Sequence, residues 1–85
     1  MLLRFLRLAG LETPLNEYRA LMAWPLVAGV ALGRYTEAVG IRNQVLTVRV
    51  SSPAARATLM MQRSNLVKKL NETVRAQVIA DISFV

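Results

Sequence analysis

Apolar and polar residues alternate from Glu37 to Val50, and the period then lengthens to that of a helix. A two-residue turn at Asn43-Gln44 sets Arg42 opposite Val45, and the pairs that follow are Ile41 with Leu46, Val39 with Val48 and Glu37 with Val50. One face of this predicted hairpin, 37–50, then carries Val39, Ile41, Leu46, Val48 and Val50; the other carries Gly40, Arg42, Val45, Thr47 and Arg49. A half-buried sheet needs that sorting, because a slip of a single residue exchanges the two faces. Asn at the first turn position tolerates positive φ, whereas Gln44 suits the second less well than glycine, so a wider loop is the alternative.

Ser52 then offers a capping oxygen, and Pro53 fits the first helical position because it has no N–H to waste there. A long helix is predicted over 53–75, with Leu59, Leu66, Val67, Leu70 and Val74 on one side and Thr58, Asn65, Lys68, Lys69 and Glu72 on the other. Arg56 and Arg63 lie near the edge of the apolar stripe. Either their methylenes pack while the guanidinium groups reach water, or they read an anion at the mouth of a groove.

The first eleven residues, MLLRFLRLAGL, are expected to form an apolar helix interrupted by Arg4 and Arg7. Both arginines break the apolar run and no small-residue cleavage site follows at the usual distance, so a targeting segment is not expected. Docking on the core, a partner or dimer contact, and binding at a membrane surface are its uses in descending order. Gly10 is expected to end it and Thr13-Pro14 to open the next helix, whose stripe is Leu15, Tyr18, Leu21 and Met22, with Pro25 as a further candidate. Ala20–Gly33 contains no charge over fourteen residues, which is short of the ~20 a bilayer requires and indicates a buried helix. Pro25 is expected to kink or divide it. Trp24 is expected to anchor the core, and Gly29 and Gly33 to allow close packing on the sheet. After the long helix, 77–85 alternates as a last strand. The predicted fold is α+β in the order α-α-β-β-α-β, a three-stranded sheet with helices on one face.

Length bounds a single domain over 1–85, and an apolar content of 54% points to a rich core or a surface that meets a partner. Eleven Lys and Arg against five Asp and Glu give a net charge of +6, which favours an acidic partner. With no Cys, no His and five scattered acids, the sequence offers no disulfide, metal cluster, paired carboxylates or nucleophile–base pair. A phosphate-binding G-x-x-x-x-G-K-[ST] loop is also missing. Catalysis, a cofactor and a small-molecule substrate are therefore not expected.

From Met22 to Phe84 the residues form an ordered set. Trp24, Val27 and Gly29 are followed by Tyr35-Thr36, a short strand, an Asn turn and the Leu-x-Val-x-Val strand at Leu46. Ser51-Ser52, Leu59, Arg63, Leu66, Leu70-Asn71 and a Val-Ile-x-x-Ile strand complete the set, which covers about three quarters of the chain. In this order and spacing the chain resembles the bacterial DciA family. The resemblance implies a KH-like domain that binds DNA and helps load the replicative helicase without ATPase activity, in the cytoplasm. The chain departs from standard KH domains in having no G-x-x-G loop to clamp a nucleic-acid backbone, and it ends at Val85, short of the basic tail of longer family members.

Two functions follow. In the first, Arg42 and Arg49 on the sheet and Arg63, Lys68 and Lys69 on the helix contact the phosphates of single- or double-stranded DNA, with salt-dependent, sequence-independent affinity. Trp24, the two Tyr and the two Phe look mostly buried, so base stacking is weakly supported. In the second, the domain is a protein-interaction module that does not bind nucleic acid. Leu3, Phe5 and Leu6 of its apolar helix then dock on the helicase or form a homodimer.

Overall fold

The structure, a computed structural model, describes residues 12–85. The predicted helix over 1–11, and with it Leu3, Phe5 and Leu6, lies outside the described residues. The chain runs α1 (Glu12–Ala28), α2 (Val30–Gly33), β1 (Thr36–Arg42), β2 (Val45–Val50), α3 (Pro53–Met61), α4 (Arg63–Val74) and β3 (Asp81–Phe84). The sheet has the order β1-β2-β3, with β1 antiparallel and β3 parallel to β2. The architecture is α+β with helices packed against a three-stranded sheet, consistent with the KH-like arrangement expected.

The hairpin turn forms at Asn43-Gln44, where φ is 53° and 63°. Two positive values match the right-handed twist of the flanking strands, and Asn43 accepts its value more readily than Gln44. Arg42 pairs with Val45 and Ile41 with Leu46 as expected, but the register then shifts. Val39 is a bulge, so Ala38 rather than Val39 faces Val48, and Glu37 faces Arg49 rather than Val50. Gly40 stands beside the irregularity, where a residue without a side chain weakens regular pairing. Leu46, Val48 and Val50 are buried on one face of β2, with Ile82 and Phe84 of β3 in register beside Leu46 and Val48.

Ser52 caps α3, its hydroxyl accepting the Ala55 N–H at 3.3 Å, with Pro53 next in line. The single helix predicted over 53–75 is two helices meeting at Gln62, whose φ of −102° and ψ of 10° leave the α region. The break serves packing, since α3 lies against β2 while α4 packs on α1 and β3. Leu59 from the first segment and Leu66, Leu70 and Val74 from the second are all buried.

Pro25 does not divide its helix. Interruption comes at Gly29, with φ of 88°. A Cβ there would touch nothing, so Gly29 is required by its backbone angle and not, as expected, by close packing on the sheet. Rotation of α1 is set by Trp24, which is almost fully buried with Ala20 and Val27. Met22 is about 200° round the helix from it, and so the expected stripe of Tyr18 and Met22 faces solvent.

The last strand is Asp81–Phe84, shorter than the expected 77–85. Val78 and Ile79 are both buried, whereas neighbours in a strand point to opposite faces. This stretch is held by a side chain instead. Asn71 Oδ1 accepts from the N–H groups of Val78 (2.9 Å) and Ile79 (3.1 Å), and its Nδ2 donates to the Ile79 carbonyl at 2.9 Å.

Candidate nucleic-acid interface

Because Leu46, Val48 and Val50 turn under the helices, Val45, Thr47 and Arg49 must face the other way. Arg42, opposite Val45, shares this outer face. At ~3.4 Å per residue, Arg42 and Arg49 stand roughly 13 Å apart along it. The bulge brings Glu37 opposite Arg49, and their side chains form an ion pair at 3.2 Å, both about two-thirds exposed. At this end of the sheet, Arg34, Tyr35, Glu37, Arg49 and Ser51 line a shallow hollow of about 220 Å³. Ser51 fixes its rim, donating from its N–H (2.9 Å) and its hydroxyl (3.2 Å) to the Tyr35 carbonyl. The Arg34 guanidinium lies 5.5 Å from the centre of the Tyr35 ring.

Beneath that hollow the chain is tied to the core. Trp24 Nε1 donates to Thr36 Oγ1 at 3.0 Å, and that hydroxyl donates to the Gly33 carbonyl at 2.9 Å. The indole packs on Phe84 with ring centres 6.4 Å apart. Tyr35 itself is exposed, against the expectation that most aromatics are buried. Arg34 is therefore an interface candidate that sequence reasoning passed over, and Tyr35 one to which it gave only weak support as a stacking platform. Their signal was an Arg-Tyr pair between the end of a helix at Gly33 and a strand.

The remaining expected contacts lie elsewhere. Lys68 and Lys69 are exposed on α4, across the sheet from Arg42 and Arg49, and line a cleft beside the end of α1. Arg63 opens α4 and pairs with Asp81, the first residue of β3, at 3.3 Å. The five basic residues predicted to read phosphates are thus divided between the two sides of the sheet. Arg56 is packed: half-buried, it donates from Nη2 to the Val50 carbonyl at 3.4 Å, and its Nε is buried without a partner among the described residues. Between α3 and α4 the chain passes through Met61, Gln62 and Arg63, with no glycine loop.

The sequence model of a family described as Dna[CI] antecedent, DciA, matches residues 1–84. The chain belongs to the DciA family. Membership associates it with bacterial DNA replication and loading of the replicative helicase. No curated protein matches the chain. Within this DciA domain, no helix among the described residues is long and apolar enough to cross a membrane.

Proposed function

We propose that this DciA-family chain binds DNA on the open face of its sheet while it assists the replicative helicase in the cytoplasm, and that it hydrolyses no nucleotide itself. The observation that carries the reading is the placement of Arg42 and Arg49 on the sheet face that no described helix covers, continued by Arg34 and the exposed Tyr35. The ion pair between Arg49 and Glu37 is no obstacle. Exposed pairs of this kind are worth about 0.2–1 kcal/mol, so a phosphate can displace the carboxylate. Tyr35 adds a face on which one unstacked base can lie. Such contacts favour single strands and carry little sequence information.

Three arginine–phosphate contacts give a slope of about −2 for log affinity against log salt, which is roughly a 15–20-fold loss between 50 and 200 mM. Fluorescence anisotropy of a labelled single-stranded oligonucleotide checks both slope and site. Arg42→Glu combined with Arg49→Glu is expected to abolish binding while the domain stays folded, its Tm lower by only a few degrees because the Glu37 pair is lost. Unaltered affinity in that variant sinks the placement on the sheet.

A further inference from the structure

A second surface, on the opposite side of the sheet, has a different chemistry. A cleft of about 520 Å³ lies between the end of α1 and α4, where both helical runs are interrupted. Gly29 and Gln62, the two points of interruption, both line it. Val30 follows Gly29 and is 93% exposed; Met61 precedes Gln62 and is 88% exposed; Leu26, on the wall, is 83% exposed. These are the three most exposed large apolar residues among those described; Leu26 lines the cleft, and Val30 and Met61 are the chain neighbours of Gly29 and Gln62, which line it. Scattered apolar residues on a surface need no explanation, but a cluster at a concavity marks an interaction site.

Charge selects the occupant. Leu26, Val27 and Leu66 supply the apolar wall, and Lys68 and Lys69 stand on the rim with a single acid, Glu72. Among the described residues neither lysine has an ion pair. Among the described residues no aromatic side chain lines the cleft on which a base could stack, and a phosphate backbone would leave Leu26, Val30 and Met61 in water. A second copy of the chain brings a net charge of +6, and the chain's own first eleven residues contain Arg4, Arg7 and no acid. Both therefore repel the rim.

We propose that the cleft between α1 and α4 is a docking site for an acidic amphipathic helix of a partner protein. Apolar side chains of the helix, spaced i, i+4, would meet Leu26, Val27 and Leu66, and carboxylates on its flank would meet Lys68 and Lys69. The inference stands apart from the DNA reading, because it uses none of the sheet-face residues.

The test is an amide NMR titration of the whole chain with a synthetic helical peptide carrying leucines at i, i+4 and glutamates beside them. Saturable shifts at Gly29, Gln62, Asn65 and Lys69 are expected. Lys68→Glu with Lys69→Glu should weaken the peptide about tenfold, Leu26→Glu should do the same, and Arg42→Glu with Arg49→Glu should leave it unchanged. Failure to saturate, or shifts confined to other surfaces, overturns the proposal. It is equally overturned if a single-stranded oligonucleotide alone moves the cleft amides and the lysine variant blocks that. Cleft shifts produced by dilution of the protein alone would assign the surface to self-association and also overturn it. Peptide binding that survives in the sheet-face variant separates this inference from the DNA reading, whichever way the latter falls.

Discussion

Replacing Asn71 by alanine should cost about 2–3 kcal/mol, although the side chain meets no solvent-facing surface of interest. Its amide group closes three hydrogen bonds of 2.9–3.1 Å to the segment that leads from α4 into β3. The recipients are Val78 and Ile79, both in the core. Loss of the Oδ1 acceptor strands two N–H groups, each costing ~1–3 kcal/mol when unsatisfied. Asn71 is only partly buried, so water reaches part of the gap and the low end of that sum applies. The Ile79 carbonyl suffers less, since Gln77 Nε2 also donates to it at 3.1 Å. Asn71→Asp keeps the acceptor and should therefore lose only about 1 kcal/mol. For a domain of this size 2–3 kcal/mol corresponds to a fall in Tm of roughly 10–20 °C. Urea denaturation gives the free energies, and amide exchange at Val78 and Ile79 reports the local opening. An alanine variant within 0.5 kcal/mol of the parent, or an aspartate variant as damaged as alanine, refutes the clamp.

Thr36→Val preserves shape but removes the partner of the buried Trp24 indole, so a loss of about 1–3 kcal/mol is expected; Thr36→Ser should stay close to the parent. Trp24 is the sole tryptophan, and its fluorescence during unfolding reads the difference directly. Gln44→Gly should raise stability by about 0.5–1 kcal/mol in thermal or urea melts, because Gln44 holds φ of 63° in the turn. A neutral or harmful Gln44→Gly substitution would mean that the Gln44 side chain contributes contacts of its own.

Local chemistry was the legible part of this sequence. Asn43 and the alternation around it were enough to place the turn and the first two pairs, and Ser52-Pro53 was enough to start α3. The register beyond Ile41 was not read, although Gly40 inside a strand was a signal of a bulge. Pro25 outweighed Gly29 in the sequence reading, yet α1 accommodates the proline and ends where a positive φ is needed. Rotation of α1 depended on which apolar residue found a polar partner across the fold, and Trp24 found Thr36. Periodicity alone cannot choose between Trp24 and Met22. The division of the basic residues was also illegible, since it arises from the way a crossover carries α4 to the far side of the sheet from Arg42.

The bulge at Val39 has a consequence for life at high concentration. In the order β1-β2-β3, β1 is a terminal strand with seven residues, long enough to template a neighbouring molecule. A flat terminal strand of this length invites accretion, strand upon strand, and a chain with 54% apolar residues has more to fear from it than most. The extra residue throws the donors and acceptors of β1 out of step with any straight incoming strand. The irregularity that pairs Glu37 with Arg49 also makes β1 a poor seed for aggregates.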